Sequence, residues 1–221
     1  MMIAIKICIA LVLVILGYIG VCWYLKTDKS TGVHLSDFSF TTCRIVYLLV
    51  CVFVGTTVVI LQTHNASYSF ISDIKNMLVI MLLLPCAAVD FRVQRIPNVF
   101  LGVGCLLRLI ILGVEWMHTP EEILTIAKDG VFAALLFGGF FLLISLVFRN
   151  SIGMGDIKLF AVMGFYMGIM DTFSAIFYTL FVTFILSVFL LITKKKSRQD
   201  TISFGPTILI GTVLSICQLY I

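Results

Sequence analysis

Ser151-Ile-Gly-Met-Gly-Asp-Ile-Lys-Leu-Phe-Ala161 sets a carboxylate, Asp156, beside two glycines and a lysine, with apolar runs long enough to cross a bilayer on both sides. A charge costs several kcal/mol at the bilayer centre and less near the interface, so an ionisable residue here is a functional hypothesis that needs a partner. The partner candidate is Asp90, in Cys86-Ala-Ala-Val-Asp-Phe-Arg-Val-Gln-Arg-Ile-Pro-Asn98. The rest of the chain reads as a scaffold that brings these two acids together.

Composition fixes the kind of scaffold. The 221 residues are 61% hydrophobic and 12% charged, and the mean hydropathy is +1.17. A soluble domain carries about 25% charged residues. The apolar residues come in blocks of roughly 16–22, the length of a membrane-crossing helix. The expected fold is therefore an all-α integral membrane protein, a single domain over 1–221 built as a bundle of about eight transmembrane helices. Candidate spans are 3–25, 44–63, 74–90, 98–114, 130–148, 157–170, 173–192 and 202–220, with a tight connection at 170–173. The first is long and is followed by no small-x-small cleavage site, so it reads as a retained helix.

Basic residues set the orientation. One side collects Lys26, Lys29, Arg44, Arg92, Arg95, Arg149, Lys158, Lys194, Lys195, Lys196 and Arg198; the other has Lys6, Lys75 and Lys128. The positive-inside rule puts the richer side in the cytoplasm. Both termini are then outside, and Asp90 and Asp156 both lie at cytoplasmic helix ends. Asp73, Glu115, Glu121, Glu122, Asp129 and Asp171 fall on outer loops as solvated charges. The net charge of +4 is spread over loop ends, so no nucleic acid is expected. The run Lys194–Arg198 is a topology anchor or a contact for anionic lipid. Asn65-Ala-Ser67 is a formal sequon. The seven cysteines include no C-x-x-C, and most sit in apolar runs as packing residues. No metal site is expected. Gly102, Gly104, Gly138 and Gly139 could pack helices within or between chains, leaving the oligomeric state open.

Each acid has its own local physics. Asp90 closes a helix, where the macrodipole disfavours an anion, whereas Asp156 opens one, where free amides and the positive end favour it. Pro97 suits the first turn of the following span, where its missing N–H is no loss. Two carboxylates within hydrogen-bonding distance share one proton and titrate as a unit. On this basis Asp156 is the expected base and Asp90 the expected acid. Such a pair suits peptide hydrolysis, with one carboxylate activating water and the other serving the carbonyl oxygen. Gly153 and Gly155 would let an extended substrate approach closely. Taken singly, Asp156 can also be a helix cap, Asp90 an interfacial charge answered by Arg92 or Arg95, and Lys158 a snorkelling lysine.

Three stretches resemble the type IV prepilin peptidases, a family of bacterial GxGD-type intramembrane aspartyl proteases. They are Asp90-Phe-Arg-Val-Gln-Arg-Ile-Pro-Asn98, Gly153-Met-Gly-Asp-Ile-Lys-Leu-Phe-Ala161 and Ser203-Phe-Gly-Pro206, in the family's order. The resemblance implies cleavage of basic leader peptides from prepilin or pseudopilin precursors at the cytoplasmic face of the bacterial inner membrane. Asp90 and Asp156 would be catalytic, with Gly153, Gly155, Lys158, Pro97, Asn98, Gly205 and Pro206 binding substrate or supporting the site. Proteolysis would need no cofactor. Many members also methylate the new amino terminus with S-adenosylmethionine; here the loop from Lys26 to Thr42 is short and lacks the paired C-x-x-C, which sets this chain apart from them. A signal-peptide-peptidase-like protease would instead want Tyr-Asp and Pro-Ala-Leu, and the chain has Val89-Asp90 and Phe204-Gly-Pro206. A proton- or ion-coupled transporter would place its acids near the midplane.

Overall fold

The computed structural model describes residues 2–27, 47, 49–57, 60, 70–148, 152–193 and 203–219. The sequon, the run Lys194–Arg198 and the loop after the first helix lie outside them. The described elements are helices: α1 (Met2–Thr27), α2 (49–57), α3 (Phe70–Val93), α4 (Asn98–His118), α5 (Ile123–Val147), α6 (Met154–Ile192) and α7 (Gly205–Leu219). Five are long and apolar enough to cross a membrane, and the chain is a multi-pass α-helical membrane protein.

α3 is the axis of the bundle. Thirteen of its 24 residues are buried, against six of 21 in α4 and four of 25 in α5. It is apolar all round between Asn76 and Asp90, and a helix without a polar face belongs inside. α1, α4, α6 and α7 all pack on it. Leu101, Gly104, Arg108, Ile111 and Glu115 form one buried stripe of α4 at helical spacing, while Val103, Leu106 and Leu109 face outward. α5 crosses α6 through small residues: a Cβ on Gly130 would lie 2.8 Å from the Phe165 carbonyl oxygen, and one on Gly164 2.8 Å from Ala133 backbone. Backbones this close give apolar helices the packing that hydrophobicity cannot supply in lipid.

α6 corrects the expected boundaries at 157–170 and 173–192. Its 39 residues would run about 58 Å if straight, far beyond a hydrocarbon core of about 30 Å. Gly168 has φ 79° and ψ −173°, a conformation only glycine adopts readily, and the helix breaks there. The Thr172 hydroxyl then donates to the Met163 carbonyl at 3.5 Å, although nine residues of straight helix would separate them by about 13 Å. The chain therefore reverses at Gly168, and the first arm returns Asp156 to the end of the bundle where α3 delivers Asp90. Hydropathy runs unbroken through this point, which is why the turn was expected a few residues later.

Two acids expected in solvent are buried ion-pair members instead. Asp73 receives Lys6 at 2.6 Å, and Glu115 receives Arg108 at 2.9 Å. Arg108 also donates from Nε to the Phe165 carbonyl at 3.0 Å. That carbonyl lies in the last turn before the break, and a buried guanidinium caps it there. Replacing Arg108 with Leu strands Glu115 and is expected to cost about 3–5 kcal/mol, part of it recovered in Arg108→Leu/Glu115→Leu. Thermal unfolding in detergent reads both; a single variant as stable as the wild type would refute the capping role.

Candidate active site

α3 ends just past Asp90. The Gln94 amide donates to the Asp90 carbonyl at 2.8 Å, with Gln94 at φ 52°. A left-handed residue after a helix lets the chain leave its axis, at a cost of about 1–2 kcal/mol for a non-glycine side chain. The chain then runs extended to Pro97 (φ −68°, ψ 126°), which stands at the N-cap of α4. Asn98 is the first helical residue. Gln94 was not singled out in the sequence; a polar residue two positions before Ile96-Pro97 was the available signal.

The Asp90 carboxylate does not end in the field of its own helix alone. Its Oδ2 accepts the Gly205 amide at 2.8 Å, and the Phe204 amide also donates to the carboxyl. Both belong to the start of α7, 115 residues away in sequence. Free amides and the dipole make a helix N-terminus an anion site. Gly205 has to be glycine: a Cβ there would stand 2.9 Å from Asp90 Cβ, 3.0 Å from Oδ2 and 3.1 Å from Ala87 Cα. Phe204 is set edge-on to Phe160 at 6.2 Å, and Phe160 stacks on Phe141 at 4.5 Å. This aromatic column seats the start of α7 against the arm that carries Asp156. Pro206 lies in the first turn of α7, where its missing N–H breaks no helical bond.

Asp156 is the third residue of α6, not its cap. Gly153 is the N-cap at φ −65°, ψ 138°, and the Asp156 carboxyl reaches back to the Gly153 amide. This is half of a capping box. The two glycines also make room for the site's own groups. A Cβ on Gly153 would crowd Asp156 Oδ2 at 3.0 Å, and one on Gly155 would meet Ile96 Cβ at 3.0 Å. The space beside Gly155 is filled by the segment between Asp90 and α4. Lys158, exposed, donates to Asn98 Oδ1 at 2.9 Å.

Asp90 and Asp156 line one cavity of about 320 Å³, with Gln94, Arg95, Ile96 and Asn98 on one side and Gly153, Met154, Gly155 and Lys158 on the other. That volume is near the lower end of small-ligand pockets, about 300–1,000 Å³, and suits a short peptide segment rather than a folded chain. Among the described residues no ion pair joins Lys158 to either acid. Of the glycines considered for helix packing, Gly104 abuts Leu82 and Gly138 abuts Ala161, whereas Gly102 and Gly139 face open space.

A family model, the type IV leader peptidase family, matches residues 77–192. That is 116 of 221 residues, more than half, and the chain belongs to this family. Both aspartates lie inside the match; Gly205 and Pro206 lie beyond it. The prepilin leader peptidase/N-methyltransferase of Bacillus subtilis (strain 168) is 28% identical over 140 residues, covering 62% of this chain. The chain spans about half the length of this curated relative, with 52% of the latter covered. No solved structure matches the chain.

Gly205→Ala is expected to dislodge the Asp90 carboxylate from its amides and to cost about 1–3 kcal/mol through overpacking. Thermal unfolding of the purified variant checks this, and an unchanged midpoint would mean that the contact yields freely.

Proposed function

We propose that this chain is an aspartic endopeptidase that removes the leader peptide of prepilin-like precursors. One observation carries the reading: in a member of the type IV leader peptidase family, two acids 66 residues apart (90 and 156) line a single cavity. Water held between the carboxylates loses a proton to one of them and attacks the scissile carbonyl, while the other hydrogen-bonds the carbonyl oxygen. The proton then passes to the departing amine, and the pair returns to sharing a single proton. Asp90 also faces a helix N-terminus, that of α7, so the dipole argument favours the anion at either acid. The pair is best treated as a unit.

The substrate class follows from the relative's printed name together with Gly153–Ala161 and Asp90–Asn98. The basic side of the chain carries both acids, which supports an inner-membrane protein with its site and the leader in the cytoplasm, and with both termini outside. Proteolysis runs on the two acids and water. The N-methyltransferase activity in the relative's name is no part of this proposal.

Co-expression with a tagged prepilin should give a leader-sized mobility shift. Asp90→Asn and Asp156→Asn should each reduce cleavage by more than about 10³-fold at unchanged protein level, since neither half of the pair works alone. Full cleavage by either variant would sink the reading.

A further inference from the structure

Two contacts join the segment after Asp90 to the turn that carries Asp156. One is apolar, Ile96 against Gly155. The other is polar: Lys158 Nζ donates to Asn98 Oδ1 at 2.9 Å, across 60 residues of sequence. Both polar partners line the cavity. Lys158 lies two residues after Asp156 in the opening turn of α6, and Asn98 opens α4 just after the Asp90 segment. This bond, between two exposed side chains, ties the start of α4 to the start of α6. It also occupies the ammonium with a neutral oxygen, so that the cation stays off both carboxylates. An ammonium bound to either acid would hold it ionised and displace the shared proton.

We infer that Lys158 and Asn98 form a positioning pair that sets the gap between Asp90 and Asp156 for turnover. The inference rests on the peptidase reading for its kinetic test, but its geometric test does not. Misplacing reacting groups by about 1 Å can cost about 100-fold in rate. Asn98→Leu, which cuts the tie and leaves the charge, is therefore expected to lower kcat by about 10- to 100-fold with KM within about twofold. Lys158→Met should do the same. The double variant should be no worse than the poorer single one, because the two act as one unit. Asn98→Asp restores an acceptor for Lys158 and should recover most of kcat. If Asn98→Leu keeps full kcat while Lys158→Met loses it, the lysine acts by charge and the proposal falls.

The geometric arm uses a chain with the native cysteines replaced by alanine and with Gln94→Cys and Met154→Cys, one on each side of the cavity. A short bifunctional thiol reagent should bridge them efficiently, less so by at least about threefold in Asn98→Leu, and again efficiently in Asn98→Asp, as expected for a locally held geometry. Equal bridging in all three overturns the positioning role whether or not any precursor is cleaved.

Discussion

Hydrocarbon offers no water to a charge, and every buried charge described here is met by a specific donor or acceptor. Asp73 has Lys6, Glu115 has Arg108, and Arg108 also takes a carbonyl beside the break in α6. Asp90 has the two amides that begin α7. Except for Arg108–Glu115, which lies within α4, these pairings cross between helices, so they do for the bundle what hydrophobicity does for a soluble core: they specify which helix lies beside which. Apolar side chains alone would not, since lipid is as good a neighbour as another leucine.

The site uses the same economy at the other end. Each acid is anchored by backbone: Asp90 by α7, Asp156 by the amide of its own N-cap. Glycine appears where an anchored group needs the room of a missing Cβ, at Gly153 for a carboxylate, at Gly155 for Ile96 and at Gly205 for Asp90. The motif glycines thus have a role in the acids' immediate surroundings.

Much of this could be read from residue order. Block lengths announced a polytopic helical protein, and two acids at the ends of apolar runs announced the site, because unbalanced charge in such a chain stands out. Partners distant in sequence stayed hidden. Nothing near Asp73 points to Lys6, and nothing near Asp90 points to Gly205. Asp73 and Glu115 looked like loop acids because they flank span ends, and only the packing shows them enclosed. The break at Gly168 was misplaced because apolar residues continue across it; the backbone angle, not the hydropathy, ends the arm. Asn98 and Lys158 were legible as motif positions, but their bond to each other was not.

The 115 residues between Asp90 and Gly205 also set an order of events during synthesis. Ribosomes deliver α3 long before α7, and in that interval the Asp90 carboxyl lacks the amides that hold it. Shortened chains ending before Phe204 would carry both acids yet leave one of them unseated. The seating of Asp90 therefore waits for α7 to be made and packed against α3.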